Sequence, residues 1–164
     1  MSTTTKEEQF LSEAISLATH NVYNDGGPFG ALIVTADGRR FEGVNRVTAN
    51  NDPTAHAEVM AIRNACSQLG TFDLTGCTLY TSCEPCPLCL SAALWARVAG
   101  VVYAADRHDA EKAGFDDAVF YNFFNTPVEE RSMPVRHQPL SAAAQTTGSA
   151  PFDAWDSVAA RVDY

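Results

Sequence analysis

Two short motifs constrain this chain more than anything else in it. His56-Ala57-Glu58 is followed, 29 residues beyond the histidine, by Pro85-Cys86-Pro87-Leu88-Cys89. One imidazole and two thiols are ligands that suit zinc, so a fold that uses them together must bring two distant points to one ion. Three protein ligands leave the fourth tetrahedral position to water, the layout of a catalytic zinc site and not of a closed structural one. His56, Cys86 and Cys89 are therefore the expected metal set, with one zinc per chain. Zinc lowers the pKa of its water to roughly 7. Glu58, two residues from the histidine, is placed to move that water's protons as a general acid/base and not to serve as a ligand.

Both motifs fall at expected helix starts. Asp52 or Thr54 can cap a helix over 55–69, with Pro53 near its beginning and Gly70 stopping it. Pro87 fits the first turn of a second helix that runs to about Arg97. Partial positive charge at two facing helix N-termini helps keep Cys86 and Cys89 deprotonated. Cys83, just upstream, could close the site as a fourth ligand, although the open set is complete without it. Cys66 and Cys77 have no partner at ligand spacing and read as small buried side chains. His20, His108 and His137 stand alone.

The rest of the chain supplies a frame for those motifs. Phe10, Leu11, Ala14, Ile15, Leu17 and Ala18 recur at helical spacing over 10–21. Strands are expected over 31–35 and 39–47, joined by Asp37-Gly38 as a hairpin turn. Further strands follow over 78–82 and 98–105. The order helix, strand, strand, helix, strand, helix, strand implies a mixed sheet covered by helices on both faces, an α/β fold. Beyond Arg107 the pattern weakens. A helical turn is expected over 110–113, and a short edge strand within 129–140. Residues 141–150 read as a small polar linker. A terminal helix over 151–164 would carry Phe152, Trp155, Val158, Ala159 and Val162 on one face. The organisation expected is a domain over 1–140, the linker, and a helical segment over 151–164 that must dock somewhere.

Composition narrows the partners. The net charge is −9, from 20 acidic and 11 basic residues, and the basic residues are scattered. Such a surface repels phosphate backbones, so no nucleic-acid partner is expected. The polar stretch 1–9 does not resemble a secretory signal, and no apolar run is long enough for a bilayer, so no membrane partner is expected. Five cysteines, three of them at 83, 86 and 89, suit a reducing compartment, and the cytoplasm is the expected location.

The paired motifs match the signature of zinc deaminases of nucleobases, and the chain resembles the cytidine deaminase-like superfamily. Within it the likeness is to the bacterial guanine deaminases. It is carried by Gly26-Gly27-Pro28-Phe29-Gly30-Ala31, by residues 51–58 and 80–87, by Trp95-Ala96-Arg97, by Ala113-Gly114-Phe115-Asp116-Asp117 and by the final Tyr164. The resemblance implies a three-layer α/β/α sandwich around a mixed five-stranded sheet. It also implies a homodimer whose C-terminal helix is domain-swapped to cover the partner's site. The implied reaction is hydrolysis of guanine to xanthine and ammonia, with a zinc-activated hydroxide as nucleophile. Glu58 and Asp117 are the implied catalytic residues. Phe29, Asn45, the Ala57 backbone, Trp95, Asp117 and Tyr164 are the implied contacts to a small purine base. The role of Asp116 stays open.

Other readings share the same zinc core. They are a deaminase of guanosine, another aminopurine, an amino-triazine or cytosine; a tRNA-editing adenosine deaminase, which the acidic charge disfavours; and a catalytically dead zinc module, for which Glu58 would serve no purpose.

Overall fold

The computed structural model describes residues 4–164, so part of the polar N-terminal stretch lies outside the described residues. Helix α1 (Lys6–Val22) begins four residues earlier than its apolar spacing predicts, because Thr5 and Glu8 form a capping box. The Thr5 hydroxyl accepts from the Glu8 N–H at 3.2 Å, and the Glu8 carboxylate accepts from the Thr5 N–H at 2.6 Å. Strands β1 (Gly30–Val34) and β2 (Arg40–Val44) form the expected hairpin, with Gly38 at φ +89° in the turn. β2 stops three residues short of the expected end at Val47, which instead opens a four-residue helix α2 (Val47–Asn50). Helix α3 (Ala57–Leu69) ends on left-handed Gly70, as the sequence predicts. Strand β3 (Thr78–Cys83), helix α4 (Pro87–Trp95) and strand β4 (Gly100–Ala105) follow.

These elements make one sheet in the order β2-β1-β3-β4. β1 pairs antiparallel with both β2 and β3, whereas β3 and β4 are parallel, with α4 as the crossover between them. The pleat of β1 sorts its side chains into two cores. Ala31 and Ile33 pack with Ala57, Ala61, Ile62 and Ala65 of α3. Leu32 and Val34 pack with Tyr80 and with Phe10, Leu11 and Leu17 of α1. The result is the expected three-layer α/β/α arrangement with a mixed sheet.

The sheet has four strands among the described residues, not five. No strand forms within 129–140; the segment holds the end of a 3-10 turn (Val128–Glu130) and then irregular chain. Pro134 and Pro139 remove two of the backbone donors a ladder there would need.

Gly43 sets how closely α3 approaches the sheet. A Cβ at that position would lie 2.2 Å from the Ala57 carbonyl oxygen and 2.2 Å from the Ala61 nitrogen. Only glycine lets the first turns of α3, which carry the expected acid Glu58, rest directly on β2.

After β4 come α5 (Arg107–Lys112), capped by Asp106, and α6 (Ala118–Asn125). The chain divides into two compact units, Met1–Phe120 and Tyr121–Tyr164, and the division falls within α6. In the second unit the Arg131 guanidinium lies 5.0 Å from the Phe123 ring centroid and donates to the Thr126 carbonyl at 3.1 Å. Helix α7 (Ala150–Ser157) stops short of the predicted end, because Val158 is already extended. Trp155 and Tyr164 meet edge to face at 6.3 Å. Among the described residues no helix is long and apolar enough to cross a membrane.

Candidate functional site

The two motifs converge as their chemistry requires. His56 is the N-cap of α3, and Cys86 is the N-cap of α4 with Pro87 in its first turn. Neither side chain makes a capping hydrogen bond; both instead approach the Cys89 thiol. His56 Nδ1 lies 3.6 Å from Cys86 Sγ and 3.4 Å from Cys89 Sγ, and the sulfurs are 3.7 Å apart. Zinc bonds of about 2.3 Å to sulfur and 2.0–2.1 Å to nitrogen, at the tetrahedral angle, would set ligand atoms about 3.6–3.8 Å apart. The three atoms thus form one face of a tetrahedron of zinc size. Hydrogen bonds from the Cys89 thiol and from His56 hold Cys86 down to about 4, while its hydrogen bond to Cys86 and its burial push Cys89 up. A divalent cation would displace the shared proton and keep both sulfurs as thiolates.

Cys83 does not join this group. Its thiol points to the Asp106 carbonyl at 3.7 Å, and burial pushes it up to about 11, so the set stays at three protein ligands.

Glu58 stands beside the ligands and is 5% exposed. Its Oε1 accepts from the Thr81 hydroxyl at 3.3 Å and its Oε2 from the Cys89 thiol at 3.3 Å. Burial raises its carboxyl above the usual carboxylate range. Thr81 was not singled out from the sequence. Its signal was present: it is a polar residue on the same strand face as Leu79, pointing into an otherwise apolar core.

A cleft of about 770 Å³ opens above these groups, lined entirely by the first unit. His56, Glu58, Cys83 and Cys86 line it, together with Gly26, Gly27, Phe29 and Asn45, and with Arg107, Phe115, Asp116, Asp117 and Phe120. Phe29 meets Phe115 edge to face at 5.0 Å. Asn45 Oδ1 accepts from the Val47 N–H at 3.3 Å, which leaves its Nδ2 as donor. Burial raises the Asp117 carboxyl against the opposing pull of Arg107. Ala57 is buried in the first turn of α3, where helix geometry provides its N–H with no intrahelical acceptor.

One expected contact, Trp95, is placed elsewhere. Trp95 ends α4, is 68% exposed and does not line the cleft. The crossover helix is apolar all round, and its last residue projects outward. Tyr164 belongs to the second unit and is largely exposed. Conversely, Glu84 and Arg107 line the cleft as an ion pair that the sequence reading missed. The Glu84 carboxylate accepts from the Arg107 N–H and Nε at 3.1 Å each and from Nη2 at 2.5 Å. The partners are 23 residues apart, and no periodicity links them.

Comparison with known proteins agrees with this geometry. Residues 4–105 match the family described as the cytidine and deoxycytidylate deaminase zinc-binding region. Guanine deaminase of Bacillus subtilis (strain 168) is 49% identical over 158 residues, which is 96% of this chain and 98% of that protein. An X-ray structure of guanine deaminase from Bacillus subtilis superposes with a TM-score of 0.90, at 48% identity, over 98% of this chain and 99% of that one. A tRNA-specific adenosine deaminase of Aquifex aeolicus is more distant, 32% identical over 85% of this chain and 89% of that protein.

Proposed function

The chain belongs to the cytidine and deoxycytidylate deaminase zinc-binding family, and we propose that within it this protein hydrolyses guanine to xanthine and ammonia. The observation that carries the reading is the convergence, in one cleft, of the three-atom ligand face, a buried proton carrier and a complementary donor and acceptor at Asn45 and Asp117. The near full-length likeness to a guanine deaminase supports the choice of base.

Zinc held by His56, Cys86 and Cys89 would supply the Lewis acidity that makes a water nucleophilic near neutral pH. Glu58 takes a proton from that water as oxygen adds to the ring carbon bearing the amine. It gives that proton to the ring nitrogen, then takes the second proton from the added hydroxyl and passes it to the amine, which leaves as ammonia as the ring carbonyl forms. Once Cys89 is a thiolate it donates nothing, so Oε2 of Glu58 carries the proton while Thr81 fixes Oε1. Asn45 donates from Nδ2 to an acceptor on the ring edge, and Asp117 accepts from a ring or amine N–H. Phe29 offers its face to the ring.

The volume of the cleft supports one second reading, a larger aminated heterocycle such as guanosine. A swapped homodimer would reduce that space. Its terminal segment, 151–164, would close the partner's cleft with Tyr164, and the second copy would cover the exposed Leu94 and Trp95 of α4. Removing 153–164 should then cut turnover with zinc retained, and unchanged turnover would exclude closure by the tail. The five free cysteines fit a cytoplasmic setting.

The deciding experiment supplies the zinc-loaded protein with guanine, guanosine, adenine, cytosine and ammeline, and follows ammonia release and purine absorbance. Guanine should be the best substrate by kcat/KM. Absence of ammonia from guanine would overturn the assignment.

A further inference from the structure

Two segments that line the cleft are tied together by a side chain that does not line it. Asn21 lies in the last turn of α1 and is 4% exposed. Its Nδ2 donates to the Gly27 carbonyl at 2.8 Å and to the Asn45 carbonyl at 2.8 Å. Those bonds use both amide hydrogens. They join a helix end, the glycine turn and the residue just beyond β2, and the last two are cleft-lining segments.

The fit around this amide is close. A Cβ on Gly26 would lie 2.1 Å from Asn21 Nδ2, and a Cβ on Gly27 would lie 3.0 Å from Asn45 Cγ. The main-chain carbonyl of Asn21 accepts from the N–H groups of Asn24 and Gly26 at 3.0 Å each, which fixes the turn leading to Gly27. Asn45 is thereby held at several points. Its carbonyl is held by Asn21, its N–H donates to the Phe29 carbonyl at 3.1 Å, and its Oδ1 accepts from Val47. Its Nδ2 is the donor that these contacts leave for a ligand.

We propose that Asn21 is a positioning residue: it ties the Gly26-Gly27-Pro28-Phe29 turn to Asn45 and so fixes where Asn45 presents its amide to the substrate. The ligand part of this inference rests on the guanine reading, whereas the tie between the segments does not. Asn24, an exposed residue just beyond the end of α1, instead turns its amide back to that helix, donating to the His20 carbonyl at 2.8 Å, and it is the natural control.

The test compares full-length zinc-loaded wild type with Asn21→Ala, Asn21→Asp and Asn24→Ala. Amide hydrogen exchange over 26–29 and 45–47 should accelerate in both Asn21 variants and not in Asn24→Ala. KM for guanine, and the calorimetric Kd for hypoxanthine, which has no 2-amino group to lose, should rise about tenfold, the worth of about one hydrogen bond. The change in kcat should be much smaller. In an Asn45→Ala background the Asn21 effect on KM should vanish, because the two act as a unit. Unchanged exchange at 45–47, a fall in kcat alone, or a full Asn21 effect without Asn45 would each overturn the proposal. If Asn21→Ala folds poorly, the near-isosteric Asn21→Asp decides. If wild type releases no ammonia from guanine, the substrate reading fails and the exchange data alone judge the tie.

Discussion

Gly43 and Ala57 meet backbone to backbone, so that a Cβ on Gly43 would lie 2.2 Å from the Ala57 carbonyl oxygen. Ala57 is the residue between His56, the proposed zinc ligand, and Glu58, the proposed proton carrier. The seating of one helix on one strand therefore sets the height of both groups above the sheet. Gly43→Ala should destabilise the fold by about 1–3 kcal/mol through overpacking and lower activity as α3 lifts. Thermal unfolding with a parallel zinc assay checks this. An unchanged melting temperature would mean that α3 can shift without cost.

Glu58→Gln keeps the volume and the acceptor for Thr81 but removes the proton carrier. Turnover should fall by about 10²–10⁴-fold, the usual worth of a general acid/base, with zinc content near one per chain. Burial already disfavours the charged carboxylate, so the variant should melt no lower than wild type. Comparable rates in the two proteins would remove Glu58 from the mechanism.

Removing zinc with a chelator should abolish turnover and lower the melting temperature. A ligand at a thousand times its Kd stabilises the folded state by about 4 kcal/mol. Restoring zinc should recover both. Elemental analysis finding no metal in active protein would contradict the assignment of His56, Cys86 and Cys89.

The Glu84–Arg107 pair should make stability depend on pH in one direction. Arg107 holds the Glu84 carboxyl below its ordinary value of 4.5. A carboxyl lowered in the folded state binds its proton less readily there than in the unfolded chain. Its contribution is fully present above about pH 4.5 and is lost as pH falls through the lowered value. Wild type should therefore exceed Glu84→Gln by about 1–2 kcal/mol near pH 7, and the gap should close at acid pH. Denaturant unfolding of both proteins at several pH values checks this, and a gap that widened on acidification would reverse the assignment.

Much of this arrangement was legible in the residues. The order of elements through Ala105, α2 apart, followed from apolar spacing, Gly70, the Asp37-Gly38 turn and Pro87, all of which are local signals. The ligand set followed from chemistry, because few uses of one histidine and a Cys-x-x-Cys pair require so specific a meeting. What sequence missed depends on contacts between distant segments. The return strand expected over 39–47 ends at Val44, and Val47 opens a short helix instead. The Glu84–Arg107 pair joins residues that only the parallel pairing of β3 and β4 brings together: the Cys83–Ala105 register places the following residue of one strand beside the start of α5. The Asn21 amide looks like an ordinary polar residue near a helix end. Its role is visible only in the bonds it makes.

His56 precedes a helix packed on the β1–β2 hairpin, while Cys86 and Cys89 belong to the crossover that joins β3 to β4. Three donors drawn from two supersecondary units can share an ion only when both units are docked in register. Metal binding would therefore couple the hairpin to the crossover: a chain with either misplaced by one residue would lose the ion, and with it the stability that binding adds to the folded state.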